Sequence, residues 1–195
     1  MGTSFADLLA RCGGPRPGRT LVAAFSGVSN PVLTAADFDV ALTYEDFARR
    51  GTGLGAAGFA VYDDSADMVS VARELSRFLA VESCGQCPAC KTGSMEITDR
   101  LLAIEQGAGT DDDLAEINAR LRTVTDANRC YLGTEEQNVV SSILREFPGA
   151  FAARLEGSAG PLRLALVPLI EDIYEDGTVV YDERHVRKRP DWTYA

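Results

Sequence analysis

The sequence predicts an α+β chain in three parts, and two changes in apolar pattern mark the joins. Up to residue 63, short apolar runs bounded by glycine and proline read as strands. From residue 64 to 156, apolar residues recur at three- and four-residue steps, the period of helices that share a core. From 157 to 195, apolar, acidic and basic stretches with scattered prolines read as an extended arm. With 46% hydrophobic residues, the 195-residue chain has enough apolar mass for a packed interior.

In the first part, Phe5, Leu8 and Leu9 lie at helical spacing, and Gly13-Gly14 supplies the left-handed stop that glycine adopts cheaply. Thr20 to Phe25 is apolar and ends at Ser26-Gly27, as a buried strand does. Gly58 to Asp63 reads the same way. Asn30-Pro31 marks a turn between them, and Tyr44 to Arg49 a short helix. Gly51-Thr-Gly-Leu-Gly55 is not a phosphate loop. It precedes a strand instead of following one, lacks the dinucleotide spacing and has no Lys-Ser/Thr after it.

The second part holds four apolar stripes. Met68, Val71, Ala72, Leu75, Phe78 and Leu79 form the first and lead straight into a cysteine-rich stretch. Ile97, Leu101, Leu102 and Ile104 form a second, closed near Gly107. Asp111 to Asp113 supply capping carboxylates for a third, with Leu114, Ile117, Leu121 and Val124. Val139, Val140, Ile143, Leu144 and Phe147 line a fourth, broken near Pro148-Gly149. A four-helix bundle is expected, and packing alone accounts for the stripes.

In the arm, Leu162 to Ile173 is apolar, Thr178 to Tyr181 reads as a short strand, and Arg184 to Trp192 is basic with an aromatic end. Arg184, Arg187, Lys188 and Arg189 suit an acidic protein surface, with Trp192 and Tyr194 as interface anchors. His185, the one histidine, is expected in solvent, since no carboxylate or nucleophile can be assigned to it.

The net charge of -10 argues against nucleic acid as a partner, because phosphate contacts need clustered positive charge. No apolar run is long enough to span a bilayer and no export signal is evident. A cytoplasmic location is expected, where reduced thiols favour metal ligation over disulfides.

The chemistry concentrates in Glu82-Ser-Cys-Gly-Gln-Cys-Pro-Ala-Cys-Lys-Thr-Gly93, which places three of the five cysteines within seven residues. Cys84, Cys87 and Cys90 can converge on one centre, either an iron-sulfur cluster or zinc. Buried or disulfide-bonded cysteines are the remaining reading of the spacing. A fourth thiol must come from elsewhere, because Lys91 to Met95 contain none. Cys130, in Asn128-Arg-Cys-Tyr-Leu-Gly133 between the third and fourth stripes, is placed to return to the same end of a bundle. Cys12 stands apart and is expected to be a free thiol.

These two stretches together resemble the cluster signature of the flavoprotein, NADH-binding subunit of respiratory complex I and of its relatives in NAD-linked hydrogenases and formate dehydrogenases. The resemblance covers about residues 1 to 155. It implies one 4Fe-4S cluster on Cys84, Cys87, Cys90 and Cys130, fed in the family from FMN. Pro88, Ala89 and Lys91 depart from the usual residues without touching a ligand. The stretch 1–63 resembles the β-grasp, soluble-ligand-binding domain that precedes the cluster, with its first hairpin absent, so either the unit borrows a sheet edge from a partner or the chain is a fragment or split-gene product.

The resemblance implies an oxidoreductase component that is inactive alone, with FMN and NAD not expected on this chain. Its partners would be flavin-containing and iron-sulfur subunits, and its location cytoplasmic, at most peripheral to a membrane complex. Backbone amides around Gly85, Gln86 and Gly93, and the charge of Lys91, are the expected means of tuning the cluster. A zinc-stabilised interaction module is the alternative that the thiols leave open.

Overall fold

The computed structural model describes residues 2–158 and 170–194. Residues 162–169 of the apolar run from Leu162 to Ile173, and the side chain of His185, lie outside the described residues. Helix α1 (Phe5–Arg11) starts on a capping box in which Ser4 Oγ accepts from the Asp7 amide and Asp7 accepts from the Ser4 amide. It stops where Gly13 and Gly14 take positive φ. Strands β1 (Leu21–Ser26) and β3 (Phe59–Asp63) stand where apolar runs predict them, and α2 covers Tyr44–Arg49.

Strand β2 (Leu33–Thr34) is absent from the sequence expectation, being too short to show a period. It pairs antiparallel with β1 through Ala23–Thr34 and Ala24–Leu33, giving a sheet of order β2-β1-β3. A single 3-10 turn, Ala35–Asp37, follows it.

Four helices occupy the four apolar stripes: α3 (Met68–Glu82), α4 (Pro88–Glu105), α5 (Asp111–Thr123) and α6 (Leu132–Glu146). Asp67 caps α3 by accepting from the Val69 amide at 3.0 Å. Thr110 caps α5, with Asp113 completing the box, so one of the three expected carboxylates works through a threonine. The break at Pro148 is a restart: proline fills the first position of a fifth helix, α7 (Pro148–Leu155), where its missing N–H costs nothing. Beyond it come a hairpin of β4 (Ile170–Ile173) and β5 (Val179–Tyr181), then α8 (Glu183–Arg187), more regular structure than an extended arm implies.

The core does not divide at residue 63. Ala23, Phe25 and Val32 join one cluster with Val69, Ala72, Leu75, Ile97, Leu101, Ile117, Val139, Ile143 and Phe151 from the helices. Ala24 and Leu33 face a second cluster with Phe5, Phe38, Phe47 and Leu54. Strand β1 is thus covered on both faces, which is why it reads as continuously apolar instead of alternating. A polar tie reinforces the first contact: the buried Ser142 Oγ on α6 accepts from the Val32 amide at 2.9 Å.

Several charges are buried among the helices. Arg73 on α3 pairs with its neighbour Glu74 and reaches Glu105 at the end of α4, donating from Nε at 2.7 Å. Burial pushes the Glu74 carboxyl up against the opposing pull of Arg73. Arg154 on α7 pairs with Asp67, tying the fifth helix to the start of α3.

Glu136 on α6 is fully buried and has no cationic partner among the described residues. Its Oε1 accepts from Ser76 Oγ at 2.6 Å, while Oε2 makes no hydrogen bond among the described residues. Burial raises its carboxyl to about 8, with the Ser76 bond a lesser, opposing influence. The folded chain therefore keeps this proton up to about pH 8, whereas an unfolded glutamate releases it near 4.5. Folding binds a proton in that window, so stability falls as pH rises through it, by at most about 1.4 kcal/mol per pH unit. Glu136→Gln should flatten this loss and leave the variant more stable than the parent at pH 8. Thermal unfolding of both chains from pH 5 to 9 measures it, and parallel curves would refute the neutral, buried acid.

Candidate metal centre

The α3–α4 connection carries three thiols, and the helix begins earlier than the cysteine spacing suggests. Gly85 takes φ +75° to turn the chain, Cys87 is the N-cap of α4, and Pro88 sets its first turn. Cys90 therefore rides on the helix itself instead of on a loop. Cys84 is exposed, and Cys87 and Cys90 are buried. No side chain caps the α4 N-terminus, so its first-turn amides face the cysteine-bearing end as donors suited to negative charge.

The α5–α6 connection brings the fourth thiol. Ala127 adopts a positive φ there, and Cys130 is exposed two residues before α6 starts. Arg129 donates to Gln86 Oε1 at 3.1 Å, linking the residue before Cys130 to the residue before Cys87. The glycines of both motifs meet at Val124, the C-cap of α5. A Cβ on Gly93 would lie 3.3 Å from the Val124 side chain, and one on Gly133 only 2.6 Å from the Val124 carbonyl oxygen. Gly93, expected beside a cluster as an amide donor, is instead a buried residue within α4 that lets the helices approach.

Lys91 points away from solvent and back toward α3. Its Nζ donates to the carbonyls of Ala80 at 2.7 Å and Ser83 at 3.0 Å. These are acceptors that the end of a helix leaves open. Burial lowers its pKa, and the nearby Cys90 and Cys84 oppose that shift. Ser83 Oγ lies 3.5 Å from Cys90 Sγ, a contact that spacing gives no reason to expect. Burial pushes the Cys90 thiol up. The Ser83 contact opposes this, while the neighbouring Cys130, Cys87 and Glu136 add to it.

Cys84, Cys87 and Cys90 thus share the α3–α4 connection, and Cys130 lies on the α5–α6 connection that Arg129 links to it through Gln86. Among the described residues no three Cys, His, Asp or Glu side chains are drawn together closely enough to hold an ion as they stand. The donor set is nevertheless all thiol, beside uncapped helix amides and a lysine, and it suits a thiolate-held cluster. Cys12 caps α1 and lines a separate cleft with Arg16, Tyr62 and Asp63. In the Gly51–Gly55 turn, Gly53 packs on Asn30 and Gly55 on Ser26.

Residues 70–154 match the family model of the NADH-ubiquinone oxidoreductase-F iron-sulfur binding region. The chain is 33% identical over 158 residues to the F 2 subunit of NADH-quinone oxidoreductase of Rhizobium meliloti (strain 1021), covering 80% of this chain and 38% of the relative. It is 31% identical over 163 residues to the HndC subunit of the NADP-reducing hydrogenase of Solidesulfovibrio fructosivorans, covering 83% and 33%. A chain of the NAD+-reducing [NiFe]-hydrogenase crystal structure in the H2-reduced state superposes with a TM-score of 0.69 at 27% identity, over 79% of this chain and 26% of that one. The chain therefore spans about a third of the length of the curated relatives it matches. Residues 70–154 therefore carry the NADH-ubiquinone oxidoreductase-F iron-sulfur binding region that the family model describes.

Proposed function

We propose that Cys84, Cys87, Cys90 and Cys130 hold a single 4Fe-4S cluster, and that the chain serves as an electron-transfer component of a larger redox assembly. The observation that carries this reading is the convergence of the two cysteine-bearing connections: Arg129 bonds to Gln86 while Gly93 and Gly133 both pack on Val124. This packing supports Cys130 as the fourth ligand beside the triplet. When bound, such a cluster takes up and returns one electron at a time.

The protein's part is to hold and shield. Cys87 and Cys90 are fixed by the first turn of α4 at the buried side, and Cys84 and Cys130 stand at the solvent side, where a redox partner has access. The α4 amides and the Lys91 charge favour the more negative, reduced state. The small sheet fits the soluble-ligand-binding-like unit expected before the cluster. Its β3 edge and the exposed Ile170, Ile173 and Tyr174 offer surface for the flavin-containing and iron-sulfur subunits proposed as partners. Among the described residues no helix is long and apolar enough to cross a membrane, which fits a component peripheral to any membrane assembly.

Anaerobic purification should give a brown protein with about four irons and four sulfides per chain. A colourless chain with one zinc would overturn the reading. Cys130→Ser should lose most of the iron while Cys12→Ser keeps it, and equal loss from both would show that the fourth ligand is misassigned.

Gly133→Ala tests the convergence itself. A methyl group there meets backbone, so the variant should lose about 1–3 kcal/mol of stability and much of its iron. Undiminished iron and stability would show that the Val124 contact is dispensable. The chain is also proposed to bind neither FMN nor NADH itself. Flavin fluorescence titration should show no saturable complex, and tight one-to-one binding would refute this.

A further inference from the structure

The C-terminal end of α3 needs acceptors satisfied, since the last carbonyls of a helix have no intrahelical donor. The Leu79 carbonyl accepts from the Ser83 amide at 2.9 Å, and the Ala80 carbonyl from Lys91 Nζ. The next, Val81, accepts at 2.8 Å from Trp192 Nε1, contributed 111 residues later in the chain. Trp192 is the one tryptophan of the protein, and it holds a positive φ of 65°, a conformation that bulky side chains avoid. The turn around it is closed by Trp192 N donating to Arg189 O at 2.8 Å, Arg189 N donating to Thr193 O at 2.9 Å, and a bridge between Lys188 and Tyr194.

Two further contacts fasten this turn to α3. Arg77 donates to the Lys188 carbonyl at 2.9 Å, and Lys188 Nζ donates to Glu82 Oε1 at 2.7 Å. The ion pair is largely withdrawn from solvent, with side-chain exposures of 15% for Lys188 and 33% for Glu82. Its position is specific. Glu82 is the last residue of α3, two before Cys84. A cation from the far end of the chain thus stands beside the cysteine-bearing connection. It comes from outside the 70–154 region that matches the family model.

We propose that residues 188–194 form an intramolecular strap whose Lys188 is an electrostatic positioning residue for the cluster, raising its midpoint potential by offsetting the charge of Glu82. The inference rests on the 4Fe-4S reading above. Reduction adds negative charge to the centre, so a nearby cation favours the reduced form and a nearby anion disfavours it, the more so where water is partly excluded. The Trp192 and Arg77 bonds set where the cation stands. The basic end of the chain, expected to meet an acidic partner, here places Lys188 against an acidic residue of its own chain.

The test uses the full chain, loaded anaerobically and titrated potentiometrically by the cluster's spin-resonance signal. Lys188→Gln should lower the midpoint potential, Glu82→Gln should raise it, and the double variant should lie near the parent. A chain ending at Arg187 should show a fall of the same sign as Lys188→Gln. A purely structural strap would shift both single variants in the same direction, and either that result or unchanged potentials would overturn the proposal.

Docking has its own readout in the metal-free chain. The anisotropy decay of Trp192 should follow the tumbling of the whole protein, and fast local motion in the parent would refute the strap. A parent chain that takes up no cluster would sink the electron-transfer reading, and the tuning with it. Unmoved potentials in a loaded chain would sink the tuning alone.

Discussion

Everything that this chain can do at its thiols depends on how closely three helix ends approach one another at Val124. The residue is fully buried at the end of α5, with the Gly93 turn of α4 on one side and the Gly133 turn of α6 on the other. Neither contact has room for a larger side chain without movement of the neighbour, and at Gly133 the obstacle is a carbonyl oxygen. Close packing here is the means by which two stretches some forty residues apart in sequence reach one place. The Arg129–Gln86 hydrogen bond is the polar counterpart of that contact. A helix packed one side-chain diameter further out would leave Cys130 stranded.

The end of α3 is the second organising point, because its open carbonyls must be answered by donors. They are answered by residues with duties elsewhere: Ser83 borders Cys84, Lys91 follows Cys90, and Trp192 anchors the last turn of the chain. Helix termination and the surroundings of the thiols are therefore one piece of structure. This also explains why Lys91 is partly buried and reaches backward. Its charge is held in place by the same acceptors that it satisfies.

Much of the fold was legible because apolar spacing is enforced by burial. The stripes of α3 to α6 and the runs of β1 and β3 fall where the period places them, and glycine stops α1 as its conformational freedom requires. What escaped was structure with no period to show. Strand β2 is two residues long, and α7 hides behind a proline that looks like a terminator but serves as a first turn. The crowding of Cys84, Cys87 and Cys90 and the place of Cys130 between two stripes are plain in the sequence, and they carry the proposed ligand set. Their surroundings were not, since nothing in the spacing says that Gly93 packs on Val124, that Ser83 touches Cys90, or that the tryptophan near the end of the chain bonds to Val81. These are contacts of chain folding back on itself, invisible to local pattern.

The double-sided burial of β1 has a consequence for how the molecule comes apart. Phe25 is shared with the helices and its neighbour Ala24 with the aromatic cluster around Phe5 and Phe47. Removing the first sixty residues would therefore take Ala23, Phe25 and Val32 out of the cluster they share with the helices as well as deleting a sheet. The sheet and the helices should then melt as one cooperative unit, without an intermediate in which the helices stand alone. On that account the smallest autonomous carrier of the thiols includes the amino-terminal sheet, and its boundaries are set by a shared interior instead of by the span of the cysteine motifs.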